Sequence, residues 1–260
     1  MDLGIKGKYA LVTGGSHGIG RAIALALADE GCNVAICARD EVRVERVVEE
    51  IESRKVSAIG IRTDVLVRED IERSVQTVIK SWQTLHILVN NVGGGGRWGQ
   101  AVFEETDEQV WLDVYNKNAL AAIRFTMMLI PFFRRQRWGR VVTIGSIYGR
   151  EGGGRPWFNM AKSAEMSLMK TLAMTPYLVR DGITFNYVAP GGVMIPDTGW
   201  EKEMQDHPDE FKRMVDAQFP LGRMGMPEEI GHVVAFICSE KASLLNGAII
   251  AVDGGESKSF

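Results

Sequence analysis

The chain has 260 residues, 45% of them hydrophobic and 24% charged, with 30 basic side chains against 33 acidic ones. A net charge of −3, with no basic stripe carrying interleaved aromatics, argues against a nucleic-acid partner, and RRQR at 134–137 reads as a solvated helix end. The longest apolar stretch, 119–133, is broken by Arg124 and falls short of the ~20 residues that a membrane span needs. Cys32, Cys37 and Cys238 are an odd number without metal-ligand spacing, so buried reduced thiols and no metal site are expected. The opening MDLGIKGKYALV has no cationic region followed by an apolar run, which places the protein in the cytoplasm as an expectation.

In chain order, strand-like apolar runs alternate with helical patterns. YALVT at 9–13 leads into a helix from about 16 to 30, closed by Gly31 at the C′ position. NVAICA at 33–38 precedes a charged amphipathic helix at 41–54, and VSAIGI at 56–61 precedes a helix over about 67–82. HILVN at 86–90 follows, then a glycine-rich loop at 93–99 and a long helical region that ends near Pro131. RVVTIG at 140–145 leads to a second long helix at about 157–179, its last turns distorted by Pro176. ITFNYV at 183–188, a loop rich in Pro, Gly and acids, a helix after Pro227 and AIIAVD at 248–253 complete the chain. This alternation implies an α/β fold with helices on both faces of a parallel sheet, doubly wound because the crossovers are right-handed. No linker, repeat or low-complexity tract divides residues 1–260, so one domain is expected.

The first strand–turn–helix carries Gly14, Ser16, His17, Gly18, Ile19 and Gly20 in the string TGGSHGIG. Glycines remove Cβ atoms where the chain turns and where a pyrophosphate approaches, and free N–H groups at a helix N-terminus face the anion. A dinucleotide is therefore expected there. The second strand ends Cys37-Ala38-Arg39 with no carboxylate until Asp40. An acid at that point would bind a ribose 2′-hydroxyl, whereas a guanidinium holds a 2′-phosphate. NADP(H) is favoured over NAD(H), the alternative being a solvent-facing Arg39 paired with Asp40 or a nearby glutamate.

Together with NNVG at 90–93, TIGSIYG at 143–149, PWFNMAK at 156–162 and VAPGG at 188–192, these motifs make the chain resemble the short-chain dehydrogenase/reductase family, and its 3-oxoacyl-carrier-protein reductase-like branch, over essentially its whole length. The resemblance implies a Rossmann-type fold and hydride transfer between a nicotinamide and a ketone or secondary alcohol. It implies that Asp64 and Val65 border the adenine, and that Asn91 and Gly93 border the cofactor. Asn118 would support a water chain, Ser146 would bond the substrate oxygen, and Lys162 would hold the nicotinamide ribose. Pro190, Gly191 and Val193 would form the turn beside the nicotinamide. Family members commonly pair the helices corresponding to 119–133 and 157–179, so a homodimer or homotetramer is expected.

Departures from the family pattern bear on the chemistry. Phe158 stands where relatives carry the tyrosine that gives or takes the proton, and a phenyl ring does neither. Ser146 and Phe158 are 12 residues apart, one fewer than in many relatives. The intervening loop holds Tyr148, a displaced donor or a pocket wall. Ile195 replaces a threonine that bonds the carboxamide, a contact that Thr198 or backbone groups would then supply. His17 stands where NADP-using relatives often carry arginine or lysine. Residues 194–222 form a lid-like segment, and Trp98, Trp157, Met194 and Trp200 are candidates to line an apolar substrate pocket with Arg97 or Arg155 near an anionic group. Three readings remain open: an oxidoreductase that is slow or has another proton donor, a cofactor- or partner-binding pseudoenzyme, and an ordinary ketoreductase into which Phe158 was introduced.

Overall fold

In the computed structural model, which describes residues 1–260, strand β1 (Tyr9–Thr13) sends Ala10 and Val12 into one core layer and Leu11 into the other. That is the two-residue period of a strand. After α1 (Gly18–Asp29), β2 (Asn33–Ala38) repeats it, with Val34 and Ile36 opposed to Ala35 and Cys37. The chain continues through α2 (Glu41–Glu52), β3 (Ala58–Arg62), α3 (Arg68–Trp82), β4 (Ile87–Asn90), α4 (Glu108–Tyr115), α5 (Ala121–Gln136) and β5 (Gly139–Ile144). It then forms α6 (Pro156–Ala173), α7 (Pro176–Val179), β6 (Ile183–Pro190), α8 (Gly199–Asp206), α9 (Pro208–Gln218), α10 (Pro227–Ile237) and β7 (Ile249–Val252). The strands lie parallel in the order β3-β2-β1-β4-β5-β6-β7.

A sheet apolar on both faces needs both faces covered. Ile23 and Leu27 of α1, Val44, Val47 and Ile51 of α2, and Ile230 and Val234 of α10 cover one. Ile71, Val75 and Val78 of α3, Phe125, Leu129 and Phe133 of α5, and Met169 and Ala173 of α6 cover the other. The result is a single α/β domain with a doubly wound parallel sheet. Strand order reverses between β1 and β4, and in such sheets the crevice at the C-terminal ends of the strands flanking the reversal is where ligands bind.

Two helix ends differ from the sequence expectation. The long helical region does not end near Pro131: α5 runs five residues further, to Gln136, with Pro131 inside it. The carbonyl four residues back belongs to Met127; both residues lie on the exposed side of the helix, Met127 at 67%, the side on which a carbonyl that lacks its N–H partner can turn to solvent at low cost. The helix expected over 157–179 is instead two, because α6 ends at Ala173 and Pro176 occupies the first turn of α7, where a proline N–H would be unused anyway. Smaller shifts start α1 at Gly18, move β3 to Ala58–Arg62 and extend β6 to Pro190. The three cysteines are free and buried. Burial pushes the Cys32 and Cys37 thiols up to about 12, which leaves them protonated and unreactive. No helix is long and apolar enough to cross a membrane.

Candidate active site

The glycine turn sits at the end of β1, against β4. Gly14 and Gly18 have φ of +67° and +53°, values that other residues rarely adopt. A Cβ on Gly20 would lie 2.2 Å from the Gly14 carbonyl oxygen, so α1 packs directly on the turn that precedes it. His17 precedes the first helical residue and gives no side-chain cap, which leaves first-turn N–H groups for an anion. Asn91 ties the turn to β4: its Nδ2 donates to the Thr13 and Gly14 carbonyls at 2.9 and 3.2 Å.

Beside this turn lies a cavity of about 470 Å³ lined by Gly14, Ser16, His17, Arg39, Asp64, Val65, Asn91 and Gly93, among others. Arg39 enters none of the protein's ion pairs; its neighbour Arg43 is the residue that binds Asp40, at 3.4 Å, and Asp197, at 3.6 Å. Lys117, half-buried on the same cavity wall, has its ammonium 4.5 Å from the Trp98 ring centre. Burial first, and the Arg39 guanidinium second, pull the Lys117 pKa down. A cavity carrying two neighbouring cations without a paired carboxylate is suited to a phosphate.

A second cleft of about 720 Å³ adjoins the first and shares His17, Asn91, Gly93 and Trp98 with it. Its walls include Gly18, Ile19, Gly20, Tyr148, Phe158, Lys162, Ile195 and Thr198. The side chain of Lys162 is 4% exposed, and its Nζ donates to Glu165 Oε2 at 2.9 Å and to the Ile144 carbonyl at 3.3 Å. The ammonium also lies 5.7 Å from the centre of the Phe158 ring, within the range of a cation–π contact. Ser146 Oγ accepts from the Tyr148 N–H at 3.2 Å, which leaves its own proton free to donate.

Asn118 is buried in a wide π-helical turn, Asn116–Leu120, between α4 and α5, the kind of interruption that recurs at functional sites. Its Nδ2 donates to the Val114 and Gly94 carbonyls at 2.7 and 2.9 Å, and its Oδ1 accepts from the Gly94 N–H at 3.1 Å. Asn118 therefore clamps the glycine-rich loop over the cleft. Behind Ser146, the Tyr187 hydroxyl accepts from the Ser146 N–H at 3.0 Å and reaches the Ser146 and Lys162 carbonyls, each at 3.2 Å. Gly145 admits this ring, since a Cβ there would lie 1.8 Å from it.

Not every expected site residue reaches the cleft: Asn118 is fully buried one layer behind it, and Ser146 lies beside the wall residue Gly145 without lining either cavity. Trp157 does not line the cleft: at 1% exposure it packs against Trp111 with Val114 and Ala161, and its Nε1 donates to the Gly95 carbonyl. A large ring one position before Phe158 on a helix points to a different side. Met194 also lies outside the cleft that holds Phe158, packed instead on Phe211, Val215 and Phe219. Val193 buries its side chain in the core and forms a bridge to Gly225, while Pro190 ends β6 and Gly191 donates to the Val252 carbonyl. None of these three lines either cavity. Thr198 donates to the Ile195 carbonyl at 2.6 Å. Tyr148 is a cleft wall whose phenol is pushed up by burial and by the charges of Glu256 and Glu151. The segment 194–222 contains α8 and α9, with Trp200 on Phe211.

Lys117, Glu165 and Tyr187 were not foreseen. Lys117 directly precedes Asn118, and Glu165 is the one acid in α6; Tyr187 carries no such signal. No cluster of three or more His, Cys, Asp or Glu side chains is arranged to hold a metal ion.

Comparison with known proteins extends these observations. Residues 14–257 match the family model described as enoyl-(acyl carrier protein) reductase. The chain is 35% identical to the 3-oxoacyl-[acyl-carrier-protein] reductase FabG of Staphylococcus aureus over 251 residues, 95% of this chain and 97% of that protein. The L-sorbose reductase of Gluconobacter frateurii, solved with NADPH and L-sorbose, superposes with a TM-score of 0.92 at 30% identity over all of both chains. A 7α-hydroxysteroid dehydrogenase solved with NADH and 7-oxo glycochenodeoxycholic acid gives 0.88 at 25% identity, over 99% of this chain and 97% of that one.

Proposed function

The chain belongs to the short-chain dehydrogenase/reductase family, and from that premise we propose that it reduces a small-molecule ketone, or oxidises the corresponding alcohol, with NADP(H) and with a proton donor other than residue 158. It is an NAD(P)-dependent oxidoreductase that acts on carbonyl or alcohol groups by hydride transfer. One observation carries the residue assignment: the cavity with the glycine turn and Arg39 and the cleft with Phe158 and Lys162 meet at His17, Asn91 and Gly93.

The residues present fit the cofactor. Gly14, Gly18 and Gly20 would cradle the pyrophosphate, with Ser16, His17 and Ile19 completing the turn. Asp64 and Val65 would border the adenine. Arg39, with Lys117 behind it, would hold the 2′-phosphate. This fit and the NADPH bound by the sorbose reductase support NADP(H) over NAD(H), although the steroid dehydrogenase was solved with NADH. When bound, the reduced nicotinamide supplies the hydride. Ser146 would donate its free hydroxyl proton to the carbonyl oxygen, polarising the bond and orienting the substrate. Asn118 would hold the glycine-rich loop closed on the site, and Lys162 would lie beside the nicotinamide ribose. Phe158 would exclude water from the face where relatives carry a phenol, and α8 and α9 would close over the substrate as a lid.

The competing reading, a cofactor-binding protein without turnover, rests on Phe158 alone. Both readings require NADPH to bind. Titration should quench tryptophan fluorescence saturably, and the absence of saturable binding up to about millimolar cofactor would sink both. The half-buried apolar residues Ala164, Leu168 and Leu172 on α6 support a homodimer or homotetramer. Light scattering that returned only the 28.8 kDa chain would overturn the oligomer.

A further inference from the structure

Glu165 is a fully buried acid whose only hydrogen-bond partner is Lys162. Burying a carboxylate and an ammonium is costly even when they pair, and replacement by apolar groups is often neutral or stabilising. A packing role therefore does not account for it: the neighbouring α6 positions facing the core, Ala161, Met169 and Ala173, are apolar. Lysine carries three N–H donors. Two are taken by Glu165 and the Ile144 carbonyl. A Cβ placed on Gly93 would lie 2.8 Å from Lys162 Nζ and 2.7 Å from Asn118 Oδ1, so the ammonium reaches the backbone that floors the cleft. The third donor is left for the space between Gly93 and the Phe158 ring.

Resting on the function proposed above, we propose that Lys162 and Glu165 form the acid–base unit of this site, with Lys162 carrying the proton and Glu165 acting as its positioning residue. On reduction, the hydride turns the carbonyl into an alkoxide. A Lys162 N–H bond breaks as the alkoxide O–H bond forms, directly or through one water, and the N–H electron pair stays on Nζ. A proton taken up from the medium through water restores the ammonium, so each reduction consumes one solvent proton, and the reverse steps serve alcohol oxidation. The pair does in this chain what a phenol at 158 does elsewhere in the family.

The other titratable groups near the pair are Tyr187 on β6 beneath it, Lys117 on the wide turn, and Tyr148, His17, Arg97 and Arg155 on the cleft walls. Burial pushes the Glu165 carboxyl up while the Lys162 charge opposes the rise. An ammonium left buried without its carboxylate releases its proton more readily.

The test uses the full chain with Glu165→Gln and Glu165→Asp. NADPH affinity against pH, read by tryptophan quenching, does not depend on turnover. In Glu165→Gln the alkaline loss of affinity should begin about one pH unit or more below that of the unaltered chain. The alkaline limb of kcat for NADPH-dependent reduction of ethyl acetoacetate or L-sorbose should move the same way, with kcat falling about thirtyfold or more, in the range of a lost acid–base group. Glu165→Asp keeps the charge and should return both limbs most of the way. Unmoved limbs in Glu165→Gln would overturn the proposal, as would equal shifts in the Gln and Asp variants, the mark of a structural role. If Glu165→Gln does not fold, Glu165→Leu takes its place, since an apolar side chain of similar size also removes the charge: a lowered limb supports the pair, and an unmoved one overturns it. Tyr148→Phe addresses the rival, since loss of the alkaline limb there would assign the proton to Tyr148. Failure of the unaltered chain to bind NADPH would defeat the function itself, a result distinct from any of these.

Discussion

Replacing Phe158 by tyrosine is expected to raise NADPH-dependent ketone reduction by about tenfold or more. The ring lines the cleft and is half-buried, with the Lys162 ammonium 5.7 Å from its centre. A hydroxyl added there would enter the cleft rather than the core, so the substitution should fold, and a nearby cation favours the ionised phenol. A placed general acid is worth about 10²–10⁴ in rate. The gain should stay at the lower end because the Lys162–Glu165 pair already delivers part of it. Steady-state rates on a panel of ketones check this, and an unchanged rate would mean that proton transfer is already efficient from elsewhere in the site.

The second large effect is on the cofactor. Arg39→Ala should weaken NADPH about tenfold or more, because a hydrogen bond to a charged group is worth about 1.5–3 kcal/mol, while NADH should change by about twofold at most. The asymmetry follows from place: Arg39 lines the cavity beside the glycine turn without a carboxylate partner, while Arg43 is engaged with Asp40 and Asp197. Lys117 on the same wall keeps the loss from being total. Paired titrations with the two cofactors read the ratio, and equal weakening would overturn the NADP(H) assignment.

The fold was legible because the central strands β1, β2, β4, β5 and β6 are apolar on both faces and helices such as α2 and α3 on one, so the switch between the two periods marks the elements. The glycine turn was legible for a similar local reason: Gly14 and Gly18 take backbone angles that other residues avoid. What escaped depends on neighbours that periodicity does not report. Pro131 remains inside α5 on the outer side of the helix, where it and Met127 are exposed, and which side lies outward is not a property of the local sequence. Trp98 and Trp157 looked equivalent as pocket aromatics, yet the loop leaves Trp98 44% exposed at the cleft and the helix buries Trp157. Glu165 reads in the sequence as an ordinary helix charge. Only the approach of β5 and β6 to α6 encloses it and leaves Lys162 as its partner.

The same limit applies to the chemistry. Lys162 lines the cleft, with Ser146 next to its wall residue Gly145 and Asn118 bonded to its wall residue Gly94, but a missing phenol at 158 does not by itself distinguish an idle site from one with another acid. The buried pair beside that cleft supports the second, in which hydride moves to a carbonyl carbon. It is tested most directly by incubating the chain with NADPH deuterated at the transferable position of the nicotinamide, each epimer in turn, and with an acetoacetyl thioester, cyclohexanone and L-sorbose. An alcohol bearing deuterium on the former carbonyl carbon, from one epimer only, is the expected product by mass spectrometry. Saturable NADPH binding with no deuterated alcohol from any ketone would contradict hydride transfer.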